Sequence, residues 1–543
     1  MSVLAQSGTT RTSAPPPPGD RRQPPPVTGG RLPRFLLLFA VFLCAACGLV
    51  YELALTALGS YLIGNSVLQT SIVLSVMVFA MGVGSLAAKP LRRRAAGAFA
   101  LIEGLLALIG GLSVLILYVA FAWLRVYTPG VVIVSFVVGV LIGAEIPLLM
   151  TLLQRIRRQE AGGAVADMFA YDYIGALVGG LCFPLFLLPT FGQIKGALVV
   201  GVVNALAGML VVLWIFRRQI RRIVLAGLMA GMAAVLAVLG CAYLLADDIQ
   251  VTARQQLYKA PVVHAERTPY QQIVITESPT LTGDGDMRLF LNGDLQFSSV
   301  DEYRYHESLV HPAMAGDHSR VLILGGGDAL AAREVLRYDD VQSVTLVELD
   351  EAMTDLAHSF GPLRKLNDDA LSDPRMHVVN ADAFNWLRDT GRQFDTVVID
   401  FPDPDTASLA KLYSVEFYSM VRHALAPDGR VVVQSGSPFF APNTFWSIEA
   451  SMREAGLATT PYHVDVPSFG DWGFVLARSP TEARPGPPEL RVGPQAPKLR
   501  FLDEKVLRAA QIFPKDRRRR DVDFSTLMDP AVLQYCRHEW SRY

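Results

Sequence analysis

The stretch VLILGGGD at residues 321–328 places three glycines and an aspartate directly after a short apolar run. A second apolar run, VTLV at 344–347, ends in Glu348. Similar short runs follow, with helix-like stretches between them, at 376–380, 394–399, 430–434 and 472–477. Strands that alternate with helices predict a parallel sheet with helices on both faces. We therefore expect a Rossmann-like α/β domain over residues 311–480.

The chain on either side of this domain has a different composition. Residues 250–310 contain strand-like runs such as QIVIT at 272–276 and RLFL at 288–291, which predict a small β-domain. Residues 481–543 read as a Pro-rich linker and a C-terminal segment. Residues 1–34 are rich in Pro, Ser and Thr, a composition that cannot bury a core and that predicts a disordered tail.

Residues 35–245 carry the apolar excess of the whole chain. Of the 543 residues, 51% are hydrophobic and only 18% are charged, and the mean hydropathy is +0.32. Soluble domains typically carry about 25% charged residues. Seven apolar runs are each long enough to cross about 30 Å of hydrocarbon as a helix, and they lie at 35–57, 67–88, 97–121, 131–153, 170–190, 194–216 and 222–245. This pattern predicts a multi-span α-helical domain in a lipid bilayer and excludes a wholly soluble protein.

The charge balance and the cysteines exclude further classes. A net charge of −1 gives no indication of a nucleic-acid partner. Four of the five cysteines lie in apolar runs, so they predict neither a disulfide scaffold nor a metal site.

The glycine-rich turn is the strongest indication of a ligand. Glycines at the end of a first strand let backbone N–H groups approach a ligand at the mouth of the sheet. Glu348, at the end of the second strand, is placed to bind a ribose diol. This pair suits NAD enzymes and adenosyl-sulfonium enzymes alike, and a tight strand-to-helix turn without a ligand is the alternative. Asp328 would repel phosphates and attract an ammonium group, so a cationic ligand is favoured over a dinucleotide.

Five acidic residues follow strands of the expected sheet: Asp328, Glu348, Asp382, Asp400 and Asp403. The site of an open α/β sheet lies at the carboxyl ends of its strands, so these residues should converge there. An acid-lined cleft suits a polyamine-like substrate. Alternatively, some of these acids are helix N-caps or solvated turn residues.

Several motifs, in order along the chain, resemble those of the polyamine aminopropyltransferases, or spermidine synthases. They are Tyr270-Gln271, LNGDLQFSSVDEYRYHE at 291–307, LGGGD at 324–328, VELD at 347–350, Asp382-Ala383, IDFPDP at 399–404 and KLYSVEFY at 411–418. The resemblance covers roughly residues 255–480 and implies a small β-domain followed by a Rossmann-like, class I methyltransferase-like domain. The apolar half is similar to the multi-span region fused to some bacterial members.

The resemblance also implies roles for individual residues. Those expected to hold the methylthioadenosine part of decarboxylated S-adenosylmethionine are Gln271, Glu348, Asp382 and Ala383. Asp328 would bind its aminopropyl ammonium group. Those expected to position a putrescine-like amine are Tyr305, His306 and Asp403. Asp400 would accept the proton, and the products would be spermidine and methylthioadenosine. The family needs neither a metal nor a redox cofactor, because the sulfonium is itself the activating group.

Departures from the family pattern leave the acceptor open. Ala329 stands where the family usually has the last Gly of GGGDG, and DFPDP at 400–404 replaces the commoner DSSDP. Phe469 lies at about the place where many members have a Tyr that contacts the amine. His306 could instead be a structural hydrogen bonder. Putrescine is the default acceptor, and the sequence leaves the oligomeric state open, a homo-oligomer included.

Two other activities remain as alternatives to aminopropyl transfer. One is a methyltransferase that uses intact S-adenosylmethionine. The other is a polyamine carrier or sensor whose soluble domain binds without catalysis. The second is kept open by ionisable residues within or near the apolar runs, which are functional candidates by default: Glu52, Glu103, Glu145 and Asp172.

The side of the membrane that the catalytic domain occupies is subject to two opposing arguments. Basic residues favour the cytoplasmic side, and they cluster in the tail and after the second, fourth and sixth apolar runs. With an odd number of spans, this pattern places the domain after Leu245 outside. The donor, however, is made in the cytoplasm, and the run at Arg517 to Arg520 would be attracted to the cytoplasmic leaflet. We expect a multi-pass protein of the cell (inner) membrane with a cytoplasmic catalytic domain.

Overall fold

A computed structural model describes residues 31–63, 66–124, 128–156, 161–217, 220–258, 260–279 and 285–542. It divides into a helical unit that ends at Gln250 and a second unit that begins at Val251, so the boundary falls within the helix Arg222–Tyr258, which is described here with the helical unit. The expected disordered tail lies largely outside the described residues. Its last four residues, Arg31 to Arg34, belong instead to the first helix.

The helical unit contains α1 (Arg31–Ile63), α2 (Ser66–Ala87), α3 (Ala95–Val119), α4 (Thr128–Ile156), α5 (Ala161–Cys182), α6 (Leu188–Leu210) and α7 (Arg222–Tyr258). Within the described residues, six helical stretches are long and apolar enough to cross a membrane: Arg34–Ser60, Leu68–Ala87, Lys89–Trp123, Thr128–Gln154, Val165–Leu210 and Arg222–Asp247.

The difference between six stretches and the seven expected runs lies in Val165–Leu210. This stretch of 46 residues contains both of the runs expected at 170–190 and 194–216. Its helix breaks at Gly192, which has a φ of 70°. The break lies in the gap between those two runs. Hydropathy does not distinguish two helices that cross a membrane separately from one kinked helix that crosses once.

Small residues let the helices of this unit approach one another closely. A Cβ atom built on Gly143 of α4 would clash with the backbone of Met81 in α2, and one on Gly84 of α2 would clash with the backbone of Val140 in α4. Gly175 of α5 meets the backbone of Phe42 in α1 in the same way. Contacts of this kind are typical of helices that pack within a bilayer.

The second unit begins with a four-stranded antiparallel sheet in the order β1-β2-β3-β4, formed by β1 (Val262–Arg267), β2 (Gln272–Ser278), β3 (Asp286–Leu291) and β4 (Asp294–Ser298). A two-residue turn joins β3 to β4, with Asn292 at φ 53° and Gly293 at φ 99°, the conformation that Asn-Gly favours in tight hairpins. The β-domain is shorter than expected, because α7 extends to Tyr258 and Glu302–Val310 forms helix α8.

The second sheet has seven strands in the order β10-β11-β9-β8-β5-β6-β7. They are β5 (Arg320–Gly325), β6 (Ser343–Glu348), β7 (Met376–Asn380), β8 (Phe394–Asp400), β9 (Leu425–Gln434), β10 (Ala458–Val466) and β11 (Gly470–Arg478). Strands β5 to β9 are parallel, as expected. The antiparallel β10–β11 hairpin, whose first strand the sequence analysis missed, makes the sheet mixed.

Helices cover both faces of this sheet: α9 (Leu330–Leu336), α10 (Glu351–Ser359), α11 (Gly361–Leu366), α12 (Ala383–Asp389), α13 (Ala407–Ala410), α14 (Val415–Ala424), α15 (Pro442–Glu454), α16 (Glu504–Ala510) and α17 (Ala531–Trp540). Two large buried apolar clusters lie between the helices and the sheet. The sheet is therefore a buried platform whose carboxyl edge stays free to hold a site.

The C-terminal residues are part of this domain, although the sequence suggested a separate linker and segment. Leu502 and Leu507 are buried in one apolar cluster and Val532 in the other. Glu539 of α17 accepts hydrogen bonds from the backbone N–H groups of Asn443 and Thr444, at 2.9 and 3.0 Å. A carboxylate at this position satisfies N–H groups at the start of α15 that have no partner within the helix.

Candidate active site

The glycine-rich turn after β5 is tied to the end of β8. Gly325 pairs with Asp400 in the sheet, and the N–H group of Gly326 donates to the Asp400 carbonyl oxygen at 3.1 Å. Gly326 has a φ of 65°, and a Cβ atom there would lie 3.3 Å from Asp400 Oδ2. A Cβ atom on Gly327 would lie 2.8 Å from Cγ of Glu348. The glycines thus leave room for the two acidic side chains that close the turn.

Asp328 is buried at the start of α9. Its Oδ1 accepts a hydrogen bond from the Leu330 N–H group at 2.9 Å, and its carbonyl oxygen accepts one from the Asn367 amide at 3.1 Å. Burial raises the pKa of the Asp328 carboxyl, although the nearby His306 ring opposes this shift. The following residue, Ala329, adopts a left-handed conformation with a φ of 65°. This is the conformation that explains why the family usually has Gly there.

Glu348 ends β6, and Gln271 is brought towards the same edge by a chain of hydrogen bonds. Glu348 Oε1 accepts from the Asp350 N–H group at 3.0 Å. Asp350 in turn accepts from the Thr268 hydroxyl at 2.7 Å, and Thr268 Oγ1 accepts from the Gln271 N–H group at 3.0 Å. Burial raises the pKa of the Glu348 carboxyl to about 7. The small sheet is therefore anchored next to the end of β6.

Asp382 and Ala383 follow β7, where α12 begins. Asp382 is the N-cap of α12, since its Oδ1 accepts from the Asn385 N–H group at 3.0 Å. Its Oδ2 forms an ion pair with Lys411 at 2.6 Å. Burial alone would raise the pKa of this carboxyl, but the Lys411 ammonium and the backbone N–H groups lower it overall. Ala383 is buried in the core. Asp382 is thus a helix N-cap, as the alternative interpretation of the acidic residues expected, and it also forms an ion pair.

Tyr305 and Asp400 form the central pair of the cleft. The Tyr305 hydroxyl donates to Asp400 Oδ1 at 2.5 Å. Burial raises the pKa of the Asp400 carboxyl to about 6; His306 and the Tyr305 hydrogen bond oppose this shift, and Asp328 adds to it. The Tyr305 ring contacts His306 and Phe469, with ring centroids 5.0 and 5.9 Å apart. Phe469 therefore lies near the Asp400 end of the cleft.

His306 is held by Glu302, a residue that the sequence analysis did not single out. His306 Nδ1 lies 2.9 Å from both the carbonyl oxygen and Oε2 of Glu302. Both partners are acceptors, so Nδ1 carries the hydrogen. Arg333 donates to both carboxylate oxygens of Glu302, at 3.0 and 2.9 Å. The Glu302–His306 spacing of four residues on one helix is the signal that could have predicted this contact.

Asp403 lies in the loop after β8, close to the C-terminal helix. Its Oδ1 accepts from the Gln434 amide at 3.3 Å. Burial raises the pKa of the Asp403 carboxyl to about 7, with hydrogen bonds from Gln434 and Trp540 opposing the shift and Asp405 and Asp294 adding to it. The sequence analysis missed the two additional acids and Trp540. Only the fold brings them together with Asp403, because they come from β4, the β8 loop and α17.

The expected site residues thus occupy the carboxyl edge of the large sheet or the adjoining elements. Asp328, Asp400, Tyr305 and His306 lie close enough to influence one another electrostatically. Glu348 and Asp382 follow the next two strands on one side of β5. The edge combines four carboxyl groups of raised pKa with a phenol and an imidazole. Such a cleft can bind cationic groups and accept a proton.

The chain is similar to proteins of known activity over most of its length. Residues 302–484 match the Spermine/spermidine synthase domain family. The chain is 72% identical over 510 residues to polyamine aminopropyltransferase 1 of Streptomyces coelicolor, which covers 94% of this chain and 95% of that protein. It is 46% identical over 516 residues to the polyamine aminopropyltransferase of Mycobacterium tuberculosis strain H37Rv, covering 93% and 97%.

A solved structure is also similar to part of the chain. It is a spermidine synthase in complex with the transition-state analogue AdoDATO, with 26% identity and a TM-score of 0.41 over 47% of this chain and 85% of that one. The curated relatives agree with the expected aminopropyl transfer rather than with methyl transfer or with binding alone. The chain belongs to the polyamine aminopropyltransferase family and is an aminopropyltransferase.

Proposed function

We propose that the enzyme moves the aminopropyl group of decarboxylated S-adenosylmethionine onto putrescine or a similar diamine, giving spermidine and methylthioadenosine. The single observation that carries this proposal is the Tyr305–Asp400 pair, with its 2.5 Å hydrogen bond, in a cleft that also contains Asp328. A carboxylate oriented by a phenol can accept a proton, and a second carboxylate nearby can hold a cation.

The donor would lie along the carboxyl ends of β5, β6 and β7. Glu348 would accept hydrogen bonds from the ribose hydroxyls, and Gln271, Asp382 and Ala383 would contact the rest of the methylthioadenosine part. Asp328 would bind the ammonium group of the aminopropyl chain. Intact S-adenosylmethionine carries a carboxylate next to that ammonium group, and Asp328 would repel it. The site should therefore select the decarboxylated donor.

The acceptor would bind between Tyr305, His306 and Asp403, and Asp400 would take its proton. The amine is an ammonium ion in water, with a pKa of roughly 10, and must lose a proton before its lone pair can attack. As the new C–N bond forms at the methylene next to the sulfonium, the C–S bond breaks and neutral methylthioadenosine leaves. The proton passes to the Asp400 carboxylate, and positioning of the two substrates lowers the barrier further.

The test is product analysis with the purified full-length protein in detergent. Decarboxylated S-adenosylmethionine is supplied with putrescine, cadaverine, spermidine or no amine, and the products are separated by mass spectrometry. We expect methylthioadenosine to form together with one aminopropylated amine in equal amounts. Transfer of a methyl group from intact S-adenosylmethionine, or absence of any transfer with the whole panel, would overturn the proposal.

We also propose that the helical unit is a multi-pass domain of the cell (inner) membrane. Large apolar side chains on its surface are highly exposed, for example Phe79 at 67%, Ile133 at 63%, Leu185 at 75% and Ile223 at 86%. Exposed apolar surface on several helices is unfavourable in water and favourable against lipid. Membrane fractionation with carbonate extraction tests this placement, and recovery of the intact protein in the soluble fraction would contradict it.

The proposed side for the catalytic domain is the cytoplasm, where the donor is made. With the N-terminus inside, this requires an even number of crossings, and a single crossing by Val165–Leu210 supplies it. That arrangement places the basic residues after Leu210, including Arg217 and Arg221, outside, against the usual charge rule. Alkaline phosphatase fusions after residues 190, 219 and 543 decide the matter. A periplasmically active fusion at residue 543 would overturn the cytoplasmic placement.

A further inference from the structure

The helical unit contains a cavity of about 160 Å³ between α1, α4 and α5. Each of these helices contributes one acidic residue to the lining, namely Glu52, Glu145 and Asp172. The described residues that line the cavity include no basic side chain. Most of the remaining lining is apolar, for example Leu49, with the Cys44 thiol beside it. The cavity therefore combines negative charge with apolar walls.

Glu145 lies at the buried end of this cavity. The residue is 4% exposed, and its Oε1 has no hydrogen-bond partner among the protein groups that the structure describes. A carboxyl oxygen of Glu103 lies within 4.8 Å of one of Glu145. Glu103 is also fully buried, and its Oε1 accepts from the Cys44 thiol at 3.2 Å. Two buried carboxyl groups in contact are unfavourable unless a proton or a cation lies between or beside them.

We infer that this cavity binds a linear diamine or polyamine, at a site separate from the catalytic cleft. The acidic groups lie at different depths, because Glu145 is buried whereas Glu52 and Asp172 are half-buried. Ammonium groups separated by methylenes match this arrangement, with the charged ends on the carboxylates and the methylenes against apolar side chains. The site goes beyond the proposed transfer reaction and does not depend on it.

The cavity suits an organic cation better than a metal ion. The ligand atoms of Cys44, Glu103 and Glu145 lie within 4.8 Å of one another, but Glu103 is not among the described residues that line the cavity. The Cys44 thiol is also engaged as a donor to Glu103. The cavity volume of about 160 Å³ is much larger than the roughly 10–15 Å³ that one water molecule needs, so the cavity has room for a ligand of several heavy atoms.

Equilibrium binding of radiolabelled putrescine and of spermidine to the full-length protein in nanodiscs tests this inference. The variants are Glu145→Gln and, should that change disturb folding, the half-buried Glu52→Gln. Asp247→Asn is the matched control, because it removes a carboxylate of the same unit that pairs with Lys195 outside the cavity. We expect one more equivalent of amine bound per chain in the unmodified protein and in the control than in Glu145→Gln, with Glu52→Gln weakening that equivalent about tenfold. The two labels show whether the shorter or the longer amine is preferred.

Transferase turnover, measured on the same samples, separates this inference from the proposed function. We expect Glu145→Gln to keep the turnover of the unmodified protein. Equal stoichiometry in all variants would overturn the inference, and so would displacement of the amine by stoichiometric Mn²⁺ or Zn²⁺, which would indicate a metal site. A protein that transfers no aminopropyl group but loses one bound amine in Glu145→Gln would contradict the proposed function and leave the inference standing.

Discussion

The chain holds two groups of acidic residues, and they are stabilised in different ways. The cleft acids are Asp328, Glu348, Asp400 and Asp403, and the helix acids are Glu52, Glu103, Glu145 and Asp172. Each cleft acid accepts a hydrogen bond from a protein donor, such as the Leu330 N–H group or the Tyr305 hydroxyl. Among the described contacts of Glu103 and Glu145, the side-chain donors are the Cys44 thiol, the Asn204 amide and the two carboxyl groups themselves.

This difference follows from the backbone that carries each group. At the end of a parallel strand the chain turns, and N–H groups of turns and helix starts become available to carboxylates. Inside a helix every N–H group is already bonded within the helix, so an acidic side chain must find another side chain or a ligand. Each cleft acid therefore has a donor that favours its charged form without a substrate, whereas the buried pair Glu103 and Glu145 requires a proton or a cation between or beside the two carboxyl groups.

The largest expected effect tests whether Asp400 is the proton acceptor among the cleft acids. Asp400→Asn keeps the size of the side chain and its contact with Tyr305 but removes the basic oxygen. A positioned general base contributes about 10²–10⁴-fold, and we expect turnover to fall by that factor while donor binding stays nearly intact. Steady-state kinetics and donor titration measure the two quantities.

Asp395→Asn is the matched control for this change. Asp395 lies at the opposite end of β8 and pairs with Arg320 at 2.8 Å on the exposed edge. Its loss should leave turnover unchanged within about twofold, since exposed pairs contribute little. Normal turnover by Asp400→Asn would remove Asp400 from the role of base and direct attention to Asp403.

A smaller effect is expected for donor selection by Asp328. The unmodified enzyme should prefer decarboxylated over intact S-adenosylmethionine, because only the intact donor brings a carboxylate towards Asp328. In Asp328→Asn the ratio of the two dissociation constants should move towards unity by about tenfold. Competition binding with both donors measures this ratio.

Glu348→Gln sharpens the same comparison. It also removes one charge from the cleft, but its proposed contact is the ribose, which the two donors share. We expect it to weaken both donors equally. If Glu348→Gln changed the ratio as much as Asp328→Asn, selection would depend on the total charge of the cleft rather than on one residue.

The pH dependence tests how the cleft acids are tuned. Burial raises the pKa of Asp400 to about 6, so the base is protonated and inactive below that pH, and kcat/KM should rise with pH through about 6. The Tyr305 hydrogen bond favours the charged form of Asp400. Tyr305→Phe removes this hydrogen bond and raises the pKa of Asp400. The acid limb of the profile, the rise of kcat/KM with pH, should therefore move to a pH about 1 unit higher.

Tyr462→Phe provides the control for the pH experiment. The Tyr462 hydroxyl is also buried, but it donates to the Ser308 carbonyl oxygen at 2.7 Å rather than to a carboxylate. This variant should lose some stability and keep the acid limb where it is. An unmoved limb in Tyr305→Phe would show that another group, such as Asp403, controls it.

The cleft acids could be predicted from the sequence, because they follow short apolar strands in a fold whose sites lie at strand ends. The ion-pair partners of the neighbouring acids Asp382 and Glu302 could not be predicted. Lys411, which pairs with Asp382 across 29 positions, and Arg333, which pairs with Glu302 across 31, are brought close only by the packing of helices on the sheet. The hydrogen bond between Trp540 and Asp403 could not be predicted for the same reason, because the segment that contains Trp540 was expected to be separate from the domain.

The helix acids were visible as charges inside apolar runs, but the sequence did not predict which of them meet. Hydropathy identifies helices that can span a membrane and contains no information on which faces pack together. The contact between Glu103 of α3 and Glu145 of α4 depends on helix rotation. The break at Gly192 falls in the gap of residues 191–193 between the runs expected at 170–190 and 194–216, and its φ of 70° shows that the helix kinks there.

The smallest expected effect concerns the turn at Asp328. The residue after it, Ala329, has a strained backbone conformation, unlike the helical residues that follow. Ala329 has a φ of 65°, which costs a non-glycine residue about 1–2 kcal/mol. Ala329→Gly relieves this strain. The change also loses a buried methyl, worth about 0.8 kcal/mol, and loosens the unfolded chain by about 0.4–1 kcal/mol. The three contributions nearly cancel, so the free energy of unfolding should change by less than about 0.5 kcal/mol.

Ala331→Gly, two residues later in α9, isolates the strain by comparison. Ala331 is equally buried but helical, so the same change relieves nothing there and should destabilise the domain by about 2 kcal/mol, from helix propensity and the lost methyl together. Thermal unfolding of the two variants in the same detergent measures the difference. Equal destabilisation by both would show that the left-handed Ala329 is unstrained, and that the family's glycine at this position serves the approach of the donor rather than the backbone.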